Sequence, residues 1–373
     1  GLKGLDLLGI NFPEKEVEQE QLLHTELQSI NSKMTVEQID SLIDLPLMEN
    51  QEMKAAVRLL TGLDIPCQWI GKMKLAQICN ATTVRIALEH GNMEESPLGY
   101  MAHGKYISTA FDAKIGYKLG NLALLLNEKF KNTHYKTKLI FHFTGYLSFR
   151  QQPILANIPL LQMGIETSSQ IGDIVFGSYC MSIGTQHAIW SGMKINAIME
   201  GFQPYLTLLK QQKSVIYEVV SVYMGCLLNL QGKTDEPLSL SSNDFNEKEH
   251  WDTFGANPVM ASNYYWVKIL TLFIHEEFEE AKKLVLEAEK VDFAVADQLM
   301  YMMLNFYYAL IFAQIKPKDE TEKQVNLKKL KQFYQKITKW ATDCPENFES
   351  QAALIAAEIA RIEGQDIEAI TLY

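Results

Sequence analysis

Cysteine is scarce in this chain of 373 residues, and what there is forms no pattern. Five cysteines stand at 67, 79, 180, 226 and 344, an odd number with no Cys-x-x-Cys and no regular framework. That spacing argues against a disulfide scaffold and suits a reducing cytosol. Of the eight histidines, none pairs with a cysteine or carboxylate at ligand spacing. His275-Glu276 starts like a zinc helix, but Glu279 stands where the second histidine belongs. No metal and no cofactor is expected. An excess of base is also missing. The net charge is −11, and a nucleic-acid binder needs a local surplus of Lys and Arg. There is no secretory signal, so the sequon Asn80-Ala81-Thr82 carries no meaning. Strand alternation and hairpin dipeptides such as Asn-Gly are absent, which leaves an all-α chain. Long hydrophobic runs are reduced to one, residues 298–315. Asn305 interrupts it and its aromatics crowd the middle, so it reads as a buried core helix and no membrane insertion is expected.

Catalytic motifs fail on inspection. Gly232-Lys233-Thr234 resembles the end of a phosphate loop, but Leu227 occupies the leading glycine position and a helix precedes where a strand is required. Cys180-Met181-Ser182-Ile183-Gly184 lacks the first glycine of a nucleophile elbow and lies in a helical pattern. Cys180 and Cys226 read as small core residues. No catalytic residue is assigned, and the chain is read as not an enzyme.

What is present is core and helix. At 47% hydrophobic and 21% charged, the chain can bury two or three compact domains or one long solenoid. A polar, Glu-rich helix covers 14–32. Thr35 with Gln38 forms a capping box opening a short helix to about Leu45. The spacing predicts a helix over 50–63 and two more over 66–91, ending at Gly91. Ser96-Pro97 reads as a cap and a first-turn proline. Asp112 starts the next helix, where Gly116 and Gly120 mark close helix approach rather than a membrane dimer. Further helices follow at 133–148, 153–171, 173–190, 193–212 and 214–231. Residues 232–256 collect Gly, Pro, Ser, Asn and Asp with little periodicity and read as a loop or hinge insert. Helices resume at Asn257-Pro258 to about His275, then at 277–290, 295–314 and 323–342, with a charged loop at 316–322.

The segment 340–373 is the clearest hairpin. Asp343 sits at a cap position, Pro345 opens a helix, and Gly364 ends it before Asp366 starts another. Ala352, Ile355, Ile359 and Ile362 fall on one face, with Glu358 and Arg361 on another. Such a hairpin cannot hide its own apolar stripe and needs a like neighbour. A weak repeat supports this: Gly192 leads to Ala197, Glu276 to Ala281 and Gly364 to Ala369, each a small residue five positions on. Small residues let helices approach and bulky ones fill the groove to the next pair. The fold class is therefore an α-solenoid of stacked, divergent tetratricopeptide-like hairpins. Its parts are N-terminal repeats at 1–95, central repeats at 96–231, the insert at 232–256 and C-terminal repeats at 257–373. Tyr179, His187, Trp190, Tyr264, Tyr265 and Trp266 lie on first helices of hairpins. They serve either as core or as a groove for a bound peptide or ligand. Lysines 316, 318, 323, 328, 329, 331, 336 and 339 read as a solvated face, or as a surface for an anionic partner. The chain opens without methionine and closes inside a helical pattern, so a piece of a longer polypeptide is expected.

Trp340, Cys344, Pro345, Glu346, Asn347, Phe348, Ala357, Glu358, Ala360, Arg361, Gly364, Ala369 and Tyr373 form a pattern. It resembles the repeat region of large bacterial signalling proteins. In these a Ser/Thr-kinase-like domain, an AAA/STAND-type ATPase, tetratricopeptide-like repeats, a GAF sensor and a histidine kinase share one chain. Gly116-Tyr117-Lys118-Leu119-Gly120-Asn121-Leu122-Ala123 is similar to the same family's Gly-Tyr-x-x-Gly-x-x-Ala segment. Phe149-Arg150-Gln151-Gln152-Pro153 is similar to its Trp-Arg-Gln-Pro step, with Phe149 for tryptophan and one extra glutamine. Glu166 through Asp173 resembles its Glu-x-Gly-Asp entry to a helix, and the first residues around Gly4 and Pro13 its first repeat. These are packing motifs and carry no catalytic residue. The resemblance implies a cytoplasmic regulatory module beside an ATPase switch, binding a protein or peptide partner or neighbouring domains of its own polypeptide. One alternative is a small-molecule-sensing regulatory domain of a STAND-type ATPase. The other is an enzyme on a helical scaffold.

Overall fold

The computed structural model describes residues 1–373, the side chain of Trp69 excepted. The described residues are α-helical with short 3-10 turns and no strand. They divide into two compact units: residues 1–151 with 166–176, and residues 152–165 with 177–373.

In the first unit the helices are α1 (Leu2–Leu7), α2 (Glu16–Lys33), α3 (Gln51–Trp69), α4 (Met73–His90), α5 (Ser96–Ala110), α6 (Ala113–Phe130) and α7 (Thr133–Tyr146). The short helix after Thr35 is a 3-10 helix, Val36–Asp44, its start held by the Thr35 amide donating to Gln38 Oε1 at 2.9 Å. Sequence reading breaks the chain before Pro66, yet α3 runs through it. The proline ring leaves the Gly62 carbonyl without its helical partner, but both residues are exposed, so the carbonyl is open to solvent. Buried Asp64 then ties α3 to α4 by accepting from Asn80 Nδ2 at 2.9 Å. The cap before Pro97 also shifts by one residue: Ser96 is itself helical, and its Oγ accepts from the Met93 amide at 2.9 Å. Leu5, Val57, Leu60, Cys79 and Ile86 form the core beneath. The α5–α6 contact is as close as the glycines suggest. A Cβ on Gly116 would lie 2.6 Å from the Gly104 carbonyl oxygen.

Helices α8 (Ile158–Ile171) and α9 (Ile174–Trp190) contribute residues to both units. The second unit continues with α10 (Ile195–Gln211), α11 (Val215–Leu230), α12 (Glu247–Phe254), α13 (Pro258–Ile274), α14 (Phe278–Ala288), α15 (Leu299–Gln314), α16 (Glu320–Asp343), α17 (Pro345–Ile362) and α18 (Asp366–Leu372). Here α11, α13, α15 and α17 pack in succession, while α14, α16 and α18 each close a hairpin on the helix before. This is hairpin stacking: Ala281, Val285 and Ala288 of α14 turn their small side chains inward and are fully buried. The all-α architecture of paired, stacked helices agrees with the solenoid reading.

Two local expectations are corrected. Residues 232–256 contain α12, capped by Asn246, whose Oδ1 accepts from the Glu249 amide at 3.0 Å. Asp343 ends α16 rather than capping α17, whose cap position falls to Cys344. Glu358 of α17 is buried. It is 6% exposed and pairs with Arg361 at 2.5 Å, while Tyr373 donates to it at 2.5 Å. Arg361 Nη2 also donates to the Ala313 carbonyl at 2.9 Å, tying α17 to α15. A carboxylate tolerates burial when charge-assisted bonds replace its water.

Helix α15 holds the one long apolar run and is buried along most of its length. No described helix is long and apolar enough to cross a membrane. Asn305 in its middle donates to the Tyr301 carbonyl at 2.7 Å and accepts from Lys336 of α16 at 2.9 Å. The lysines of α16 are largely spoken for: Lys329 pairs with Glu289 at 2.7 Å, and Lys331 with Glu363.

Candidate functional site

The six aromatic and histidine positions singled out by sequence fall into three settings, all within the second unit. His187 and Trp266 are interior, at 0% and 1% exposure. His187 Nδ1 lies 3.4 Å from Asn157 Nδ2. Burial lowers its pKa to about 3, so it is neutral in the fold. Trp266 meets Tyr223 edge-on at 5.2 Å, and Gln186 of α9 donates to the Tyr223 hydroxyl at 2.6 Å. Tyr264 and Tyr265 form the second setting. Trp251 of α12 lies on both, at 4.8 and 5.3 Å between ring centres, so a helix from the supposed loop covers them. Tyr264 is half-buried and donates to Glu247 Oε1 at 2.8 Å, while Tyr265 is buried. In the third setting, Trp190 is half-buried and packs edge-on to Phe306 and Tyr307 of α15, at 5.9 and 6.0 Å. Tyr179 is half-buried on α9.

Sequence reasoning missed a different feature, a cleft of about 400 Å³ between α10, α11 and the turn at 242–245. Its floor is apolar: Leu206, Met224 and Leu228, flanked by Met199 and Phe245. Its rim is polar, with Gln203, Thr207 and Lys210 on α10 and Ser242 and Asp244 on the turn. Helix α10 carries Pro204 in its interior with the exposed Glu200 one turn before, the same solvent-facing arrangement as at Pro66.

The wall of this cleft is built by residues 232–247, and two side chains and one glycine position it. Asn229 Nδ2 donates to the carbonyls of Pro237 and Ser239 at 2.8 and 2.9 Å, and its Oδ1 faces His275 Nε2 at 3.1 Å. Glu247 accepts from the Leu240 amide at 2.8 Å and from Lys268 at 2.6 Å. Burial raises the Glu247 carboxyl, but the bonds from Lys268, the Leu240 amide and Tyr264 outweigh it and hold the group below its usual value. Gly225 supplies the third contact. The Leu240 backbone crosses α11 there so closely that a Cβ would sit 2.7 Å from its carbonyl oxygen. The turn closes on itself, Ser242 N donating to the Phe245 carbonyl at 2.8 Å. Periodicity could not have exposed this wall, because it rests on one asparagine, one glutamate and one glycine in unrelated positions.

A further clamp involves the Cys-Pro-Glu-Asn-Phe step. Asn347 Oδ1 accepts from the Ile154 amide at 3.0 Å, and its Nδ2 donates to the Gln152 carbonyl at 2.8 Å. One buried side-chain amide thus holds the backbone on both sides of Pro153. All five cysteines are buried, and burial pushes the Cys79 and Cys226 thiols up to about 12, which makes them poor nucleophiles.

Residues 203–372 match the family of CHK1-like, TPR repeats. The match runs from α10 to α18 and supports a tetratricopeptide-like repeat region, a kind of module that generally mediates protein–protein interaction. None of the curated proteins matches the chain.

Proposed function

We propose that the chain is a non-catalytic helical-repeat module of a larger cytoplasmic signalling protein of the kinase/ATPase kind. It binds a protein or peptide partner and relays that event to neighbouring domains. The match of α10–α18 to CHK1-like, TPR repeats carries this reading. The stacked series α11, α13, α15 and α17 supports it, since serial hairpins present a long surface and suit relay between neighbours. The contact face is assigned to the half-buried aromatics Tyr179, Trp190 and Tyr264, with His187, Tyr265 and Trp266 as the packing beneath. Partner binding shifts the neighbouring domains only through contacts that differ between two states.

A peptide-array screen on the 373-residue chain tests the proposal. Peptides binding in the micromolar range, each weakened about tenfold or more by Trp190→Ala or Tyr264→Ala, are the expected result. Binding that ignores both substitutions, or turnover of any arrayed peptide, overturns it.

The cleft of about 400 Å³ favours a second reading, a small-molecule-sensing regulatory domain, because its size and mixed lining suit a small ligand. A ligand-induced rise in melting temperature is its signature.

A further inference from the structure

The cleft between α10, α11 and the 242–245 turn carries two opposite charges with no counterpart. Lys210 and Asp244 both line it, and neither forms an ion pair with any described residue. Exposed lysines elsewhere in this unit that do pair, such as Lys248, Lys283, Lys290 and Lys331, lie outside the cleft. The Lys210 ammonium lies 5.7 Å from the centre of the Tyr217 ring, itself a lining residue, which places the cation beside the cleft. Asp244 sits on a turn whose position is set by Gly225 in the cleft lining and by Asn229 and Glu247 outside it. The same lining holds the apolar Leu206, Met224 and Leu228, and with them Ser221, buried at 4% exposure, whose hydroxyl bonds to no described residue.

A ligand that satisfies this lining needs an anionic end, a cationic end and an apolar body. We propose that the cleft binds a small hydrophobic zwitterion, a free apolar amino acid or short apolar peptide. Its carboxylate meets Lys210, its ammonium meets Asp244, and its aliphatic side chain rests on Leu206, Met224 and Leu228. A volume of about 400 Å³ accommodates a ligand of one or two residues. The wall is already in place, so little ordering of the protein opposes binding. The inference rests on the sensing reading and names its ligand class.

Titration calorimetry of the whole chain with four probes tests it: leucine, leucyl-leucine, N-acetyl-leucinamide and decanoate. Leucine or leucyl-leucine is expected to bind at one site per chain. The capped amide and decanoate, each lacking at least one charge, are expected to bind at least about tenfold more weakly. Lys210→Gln and Asp244→Asn, both conservative changes at exposed positions, should each weaken the zwitterion roughly five- to twentyfold. Thr207→Trp, which fills the cleft from its exposed rim, should abolish binding. Zwitterion binding that is indifferent to all three variants overturns the site. Decanoate or the capped amide binding best, and lost in Thr207→Trp, overturns the ligand class but leaves the sensing reading. No binding by any of the four overturns both. None of these outcomes bears on the peptide-array result.

Discussion

Replacing Asn347 by alanine removes the clamp on the backbone at Gln152 and Ile154. The side chain is 7% exposed, and Ile154 is 4% exposed, so water cannot take over the amide it abandons. A buried donor left without a partner destabilises by about 1–3 kcal/mol, and the half-buried Gln152 carbonyl adds a smaller loss because solvent reaches it. The Asn347 contact with Cys344 Sγ at 3.2 Å is weak and is neglected. The sum is about 2–4 kcal/mol, large beside the margin by which proteins are stable. Chemical denaturation of the chain measures it, and hydrogen exchange of the Ile154 amide locates it. Asn347→Asp is the instructive control. The carboxylate still accepts from Ile154 but opposes the Gln152 carbonyl, so its loss should be comparable in size while the Ile154 amide stays protected. A denaturation midpoint for Asn347→Ala that matches the parent, with Ile154 exchange unchanged, would refute the reasoning.

Gly225→Ala places a methyl group against the Leu240 carbonyl, 2.7 Å away, and should destabilise by about 1–3 kcal/mol while exposing the amides of 239–245 to exchange. Glu358→Gln weakens the bonds to Arg361 and Tyr373, at 2.5 Å each, and should free α18 at a loss of about 1–3 kcal/mol; local proteolysis near the C-terminal helix reads the change. His103 and His187 are buried and neutral, their pKa values lowered by burial to about 4 and about 3. Unfolding lets each take a proton below the ordinary 6.5, so the stability they contribute is complete above that pH and falls as pH drops toward the folded value. The slope is about 1.4 kcal/mol per pH unit for each histidine, and denaturation midpoints compared at about pH 7.5 and about pH 5 should show it, with a shallower slope in His187→Gln.

The helices were legible where one residue governs an end. Asp112 accepts from the Lys114 and Ile115 amides at 2.7 and 3.0 Å, and Asn257 caps α13 ahead of Pro258, both at the positions their sequence suggests. Gly364 adopts a φ of 77° and closes α17 where a left-handed residue was needed. Pro66 misled because a proline's penalty depends on whether the carbonyl it strands is wet, which no one-dimensional pattern records. The burial of Glu358 was not legible, because nothing in the helical pattern shows Arg361 and Tyr373 closing around it. Residues 232–256 lacked periodicity because α12 is short and the rest is held by side chains of α11 and α13. The cleft followed them out of sight. Its lysine, aspartate and serine look like ordinary surface composition until the turn brings them to one opening.

The hydrogen bond between Ile154 and Asn347 joins positions 193 residues apart. A ribosome adding about 5 to 20 residues per second needs on the order of 10 to 40 s to cover that distance. For that interval the segment around Pro153 leaves the tunnel with its eventual holder not yet made. A nascent chain built this way must postpone this closure until the helix carrying Asn347 is synthesised, and a chaperone has that long to find the open segment.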